Sequence, residues 1–126
     1  MIRLDAIPYA QFLGVKIDRD DEGLICVLPF RQEIVGNANL PAIHGGVVGA
    51  FLELTAFMQL LAESDGERVP KSINFNIDYL RSARAHETYG RAELVKHGRR
   101  IANVRVVAWQ TDPKKPVAAG IGNFLL

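Results

Sequence analysis

The chain has 126 residues, 48% of them hydrophobic, so residues 1–126 are expected to form one domain with a real apolar core. Fifteen basic residues against 14 acidic give a net charge of +1, which excludes a nucleic-acid or membrane partner recruited by bulk charge, although Arg81, Arg84, Arg99 and Arg100 gather late in the chain. The single cysteine, Cys26, excludes an intrachain disulfide and a Cys-rich metal site and fits a reducing, cytoplasmic compartment.

The first residues, Met-Ile-Arg-Leu-Asp-Ala-Ile-Pro, lack the basic region and continuous apolar stretch of a secretory signal. Residues 6–13 read as a short helical turn closed by Gly14. Val15 and Ile17 alternate with Lys16 and Asp18, Asp20 to Gly23 makes a turn, and residues 24–30 return as a second strand, giving a hairpin. Cys26 falls in that strand and reads as a small hydrophobe, because no neighbour would depress its pKa. Residues 31–43 form an irregular connection, a kind of segment that often carries function when a rigid scaffold positions it.

From His44 to Glu63 there is no proline, and the only charge before the last residue is Glu53, so this stretch is expected to be a long, buried helix. From Gly45 to Ala62 it is long and apolar enough to raise the question of a membrane span, but Glu53 at its centre and half-buried strands on either side point to the core of a soluble protein. Three and four positions from Glu53 stand Gly49, Ala50, Ala56 and Phe57, none of them cationic. Burying an unpaired carboxylate costs on the order of several kcal/mol, so a protein that carries one there usually has a use for it.

Ser64-Asp65-Gly66 stops the helix and Pro70 begins a new segment. Residues 72–79 alternate cleanly, with Ile73, Phe75, Ile77 and Tyr79 on one face and Asn74, Asn76 and Asp78 on the other. Strands near 87–96, 101–110 and 117–125 follow across short turn-rich connections, so the last four strands are expected to form an antiparallel meander. The architecture that satisfies this is α+β, an antiparallel sheet of five or six strands curled around helix 44–63. His86 and His97 lack a second ligand at metal-binding spacing, so no metal site is expected.

His44-Gly45-Gly46, an acid nine residues on at Glu53, Tyr79-Leu80-Arg81 and Gly98-Arg99-Arg100 together resemble the hotdog-fold acyl-CoA thioesterases of the phenylacetate-pathway, PaaI-like type, over roughly residues 10–126. The resemblance implies hydrolysis of an acyl-CoA to a carboxylic acid and CoA, with no cofactor because CoA is part of the substrate. It implies that the Gly45 N–H serves as oxyanion donor at a helix N-terminus, where orphan N–H groups favour negative charge. Gly45, Gly46 and Gly49 also fit a simpler role in permitting close packing. Glu53 would be the general base or the nucleophile, with a structural carboxylate as the alternative. His44 takes a supporting role at the helix start, and Gly46 and the four arginines are the candidates for binding CoA, the guanidinium groups through its phosphates.

The chain departs from the family's pattern before the histidine. Many relatives carry Asn or Gln six residues ahead of it, where this chain has Ala38 between Asn37 and Asn39; a one-residue loop shift would present Asn37. The acid, often Asp in the nearest subfamily, is Glu53, and a hydroxyl found elsewhere in the family at the start of the next strand matches Ser72.

Gly45 and Glu53 are eight residues apart, about 12 Å along one helix, and both must reach one thioester carbonyl. The simplest solution is a two-fold homodimer with Gly45 of one subunit facing Glu53 of the other, and the resemblance implies the same, commonly as a dimer of dimers. A hotdog hydratase or dehydratase and a non-catalytic acyl-CoA binder remain alternatives.

Overall fold

In the computed structural model of the chain the described residues are 4–64 and 69–126. Met1 to Arg3, and Asp65 and Gly66 of the expected helix stop, lie outside them.

A 3-10 turn at Leu4–Ala6 leads into α1 (Pro8–Leu13). Pro8 occupies the start of α1, where a missing N–H is harmless, and Gly14 closes it in the left-handed region at φ 75°. β1 (Lys16–Asp20) and β2 (Gly23–Leu28) form the expected hairpin, with Asp20 opposite Gly23. β2 stops at Leu28 rather than at residue 30, since Pro29 has no N–H to extend the ladder. The 31–43 connection is more ordered than its composition suggests. A 3-10 turn at Gln32–Ile34 runs into β3 (Val35–Asn37) and β4 (Ala42–Ile43), a two-stranded sheet of its own.

α2 (Gly45–Glu63) is the expected long helix, with His44 at its N-cap. Phe51, Leu52 and Met58 are fully buried and join one cluster with Leu24, Cys26 and Leu28 of β2 and with strand residues near the C-terminus. The helix is long and apolar enough to cross a membrane, but most of its apolar side chains are enclosed by the sheet. One stripe is left half-buried: Val47, Ala50, Glu53 and Phe57, which follow each other at three- and four-residue steps along one helix face.

β5 (Lys71–Tyr79), β6 (Thr88–His97), β7 (Ile101–Trp109) and β8 (Ala118–Leu125) lie within about a residue of their expected bounds. The strand order β1-β2-β6-β7-β8-β5 corrects the expected four-strand meander. Only β6, β7 and β8 form one; β5 pairs with β8 at the far edge of the sheet. The reason is the 80–87 connection, which is not a tight hairpin but crosses the sheet end. The N–H groups of Leu80 and Arg81 both donate to Val117 O, and Arg84 N–H donates to Gln110 Oε1.

β5 also departs from strict alternation. Phe75, Ile77 and Tyr79 stand opposite Gly122, Gly120 and Ala118 on the helix side, as expected. Ser72, however, pairs with Phe124 and Asn74 with Asn123, so Ile73 is a β-bulge, half exposed, and Ser72 turns to the helix side. Asn74 Oδ1 accepts from Asn123 N–H at 3.3 Å, a side chain repairing the ladder where the bulge interrupts it.

The Phe75 ring lies flat over the two glycines of β8 and meets Phe124 at 6.1 Å, while Phe124 meets Phe57 of α2 edge-on at 5.6 Å. A Cβ at Gly122 would stand 2.4 Å from Phe75 Cδ1 and 2.6 Å from the backbone oxygen of Asn74. Gly122→Ala is therefore expected to cost about 2 kcal/mol, read as a lower urea midpoint at unchanged slope; an unchanged midpoint would mean that β5 moves away from β8 at no cost.

Candidate functional site

The first turn of α2 is built around His44. Its N–H donates to Ile34 O and its carbonyl accepts from the N–H groups of Val47 and Val48, at 2.8, 3.0 and 3.1 Å. The imidazole folds over the helix end, Nδ1 accepting from Gly46 N–H at 2.8 Å. This geometry makes His44 the N-cap of α2. It also assigns the N–H of Gly46, expected to contribute to CoA binding, to His44.

The three glycines differ in what they make room for. A Cβ at Gly46 would stand 2.9 Å from the His44 imidazole, and one at Gly49 2.8 Å from Ile77 Cδ1, so packing explains both. A Cβ at Gly45 would rest in ordinary contact with the Tyr79 ring, at 3.6 Å or more. Among the described residues nothing requires glycine there. The Gly45 N–H has no acceptor among the described residues, and Gly45 lines a cavity of about 460 Å³ together with Ile43, Val48, Tyr79, Leu80 and Val117.

Glu53 lies two turns further on, in the half-buried stripe, and is not the buried, unpartnered carboxylate expected from its neighbours on the helix. The sheet leaves this side of α2 open, and the bulge at Ile73 brings in a partner from β5: Ser72 Oγ donates to Glu53 Oε2 at 2.6 Å. Without the bulge Ser72 would point to the outer face. The structure thus joins two expected residues, Glu53 and Ser72, at one end of β5 and sets Gly45 and His44 at the other.

The remaining candidates do not converge in one chain. Asn37 ends β3, exposed, with Oδ1 accepting from Asn39 N–H in a local turn. Arg81 donates to Pro116 O and Arg84 to Leu40 O, at 2.8 and 2.9 Å, so both guanidinium groups also tie loops together. Arg99 and Arg100 sit in the β6–β7 turn beside Ile101. Because Ile101 pairs with Leu125 and Tyr79 with Ala118, the two arginine pairs occupy opposite ends of β8, roughly 23 Å apart at 3.3 Å per residue.

One residue was missed as a site candidate. Tyr79 Oη donates to Gly45 O at 2.9 Å, from the end of β5. In the sequence Tyr79 is an apolar-face position of an alternating strand and also opens the Tyr79-Leu80-Arg81 run that carries part of the resemblance, a signal that could have singled it out; its half exposure is supplied only by the fold. Among the described residues no three His, Cys, Asp or Glu side chains are grouped to hold a metal ion.

An antiparallel sheet wrapped around one long helix is the hotdog fold. The chain belongs to the thioesterase superfamily, whose family model matches residues 40–117. A protein from Chromobacterium violaceum is similar at 38% identity, the match covering 98% of this chain and 85% of that one with a TM-score of 0.78. A phenylacetic acid degradation-related protein from Ralstonia eutropha is 25% identical over 95% of this chain and 90% of its own, TM-score 0.82. A Bacillus halodurans protein solved with CoA shares the fold at 18% identity, over 93% of this chain and 76% of its own, TM-score 0.82. No curated protein matches the sequence. The membership agrees with the PaaI-like resemblance of the sequence.

Cys26 lies on the opposite side of α2 from this chemistry. Burial pushes its thiol up to about 12, partly offset by a hydrogen bond with Thr55. At pH 8 about one such thiol in ten thousand is ionised, so an aromatic disulfide reagent is expected to label the chain only once urea has unfolded it. Rapid labelling of the folded protein would show that β2 opens.

Proposed function

We propose that the protein is a cytoplasmic acyl-CoA thioesterase acting as a two-fold dimer, with each site shared between subunits. The carrying observation is that Gly45, whose N–H has no acceptor among the described residues, lines a cavity at a position where none of those residues demands glycine. A helix N-terminus offering a free donor is suited to the oxyanion of a tetrahedral intermediate.

The second half of the site follows from reach. Glu53 is about 12 Å from Gly45 along α2, too far to act on a carbonyl held at that N–H. β5 is an edge strand with Ile73, Tyr79 and the adjoining Leu80 about half exposed, an unpaired apolar edge beside the open stripe of α2. Antiparallel pairing of two β5 edges across a two-fold axis sets the Ser72 end of one beside the Tyr79 end of the other. Glu53 of one subunit then faces Gly45 of its partner. The same operation brings Arg81 and Arg84 of one subunit toward Arg99 and Arg100 of the other, a basic rim for the phosphates of CoA.

In this site Ser72 orients the Glu53 carboxylate, which either activates water or attacks the thioester carbon itself. The Gly45 N–H binds the oxygen as it becomes negative, and collapse of the intermediate expels the CoA thiolate; where Glu53 is the nucleophile, water then cleaves the acyl-Glu53 anhydride to the acid and the free carboxylate. Water and substrate suffice; the reaction needs no further cofactor. A second reading, a non-catalytic acyl-CoA binder, is supported by the engagement of Asn37 in its own turn and by Ala38 beside it.

Free-thiol release from short-, medium- and long-chain and aromatic acyl-CoAs tests the reading directly. Glu53→Ala is expected to lower it by about two orders of magnitude or more with the dimer intact. Wild-type protein that binds acyl-CoA and releases no thiol would establish the binder instead.

The shared site has its own test. Gly45→Pro removes the N–H and puts a ring carbon in its place, and the backbone admits it: proline is accepted at the first helical position, and His44 at φ −57° and ψ 133° is in the extended region open to a residue before proline. Gly45→Pro and Glu53→Ala should each be nearly inactive. Unfolded together and refolded, half the dimers are mixed and each has one intact site, so about a quarter of wild-type activity is expected to return. Recovery of none would place both groups in one subunit's site.

A further inference from the structure

The weakest backbone in the site is the Gly45–Gly46 peptide. Two successive glycines have more conformational freedom than any other pair, and they lie at a helix end where no earlier turn restrains them. Yet both polar groups of that peptide are held. Its N–H donates to His44 Nδ1 at 2.8 Å, and its carbonyl accepts from Tyr79 Oη at 2.9 Å.

We propose that Tyr79 is a positioning residue: with His44 it clamps the Gly45–Gly46 peptide from both sides and so fixes the direction of the Gly45 N–H. The two arms come from separate elements. His44 is anchored to the β3–β4 region through Ile34, and Tyr79 closes β5 opposite Ala118. The ring faces Gly45, and a Cβ at Gly49 would stand 3.1 Å from Oη, so Gly49 admits the phenol edge against the helix. The unused Gly45 N–H belongs to the preceding peptide, whose carbonyl accepts from Val47 and Val48. Accepting two donors polarises that peptide and strengthens its N–H as a donor, while the clamp on the next peptide keeps it aimed at the cavity. Tyr79 touches the carbonyl of Gly45 and acts through the glycine.

The inference rests on the oxyanion role of Gly45, and the test separates the two. Tyr79→Phe keeps the ring and removes only the hydroxyl. It is expected to lower kcat for thiol release about tenfold with KM within about twofold, at unchanged dimer mass and melting temperature. In parallel, amide hydrogen exchange at Gly46 should quicken at least about fivefold in the variant while helix amides beyond Val48 keep their rates. Wild-type kcat, a loss expressed wholly in KM, or unchanged Gly46 exchange would each overturn the proposal. If wild-type protein hydrolyses no thioester, the oxyanion role fails and the exchange measurement alone decides whether Tyr79 holds the peptide.

Discussion

Helix α2 is too apolar to face water and too long for one curled sheet to enclose. The sheet covers the faces that carry Phe51, Leu52 and Met58 and leaves the stripe of Val47, Ala50, Glu53 and Phe57 half open beside the β5 edge. The features of the site follow from that incomplete wrapping. The one interior charge of the helix falls on the uncovered stripe, where a hydroxyl from the edge strand can reach it. The free N–H falls at the helix end, where an eight-residue crossover leaves a cavity.

The fold was largely legible because its main signals are strong and local. An uncharged run with one acid and no proline fixes a buried helix, and alternation in 72–79 fixes a strand. The failures came where pairing is non-local. β5 joins β8 rather than β6, because residues 80–87 cross the sheet end using hydrogen bonds to Val117 and Gln110 that no spacing announces. The short β3–β4 pair hid among Gly36, Asn37, Asn39 and Pro41, residues whose turn chemistry reads as loop.

The site was legible as a set of residue types and only partly as a geometry. Strict alternation puts Ser72 on the outer face with Asn74, and a bulge reverses it. The late run of arginines looks like one basic patch in sequence and resolves into two patches at opposite ends of the sheet. Tyr79 stood in the Tyr79-Leu80-Arg81 run, but its hydrogen bond goes to a carbonyl 34 residues away in sequence, which no local pattern announces. The glycines carry the opposite lesson. They look equivalent as a motif, but packing accounts for Gly46 and Gly49 and leaves Gly45 without a structural reason.

The pairing of Lys71 with Leu125 has a consequence for the order of events in the cell. β5 carries the exposed apolar edge and the partner of Glu53, yet its neighbour in the sheet is β8, which follows β6 and β7 in the chain. β1 and β2 pair locally, and β6 and β7 close a short hairpin, so both can form while the chain is growing. The apolar edge is therefore ordered after the β1–β2 and β6–β7 hairpins. A nascent chain does not present this edge as an ordered strand to its neighbours on the same message until the rest of the sheet is in place.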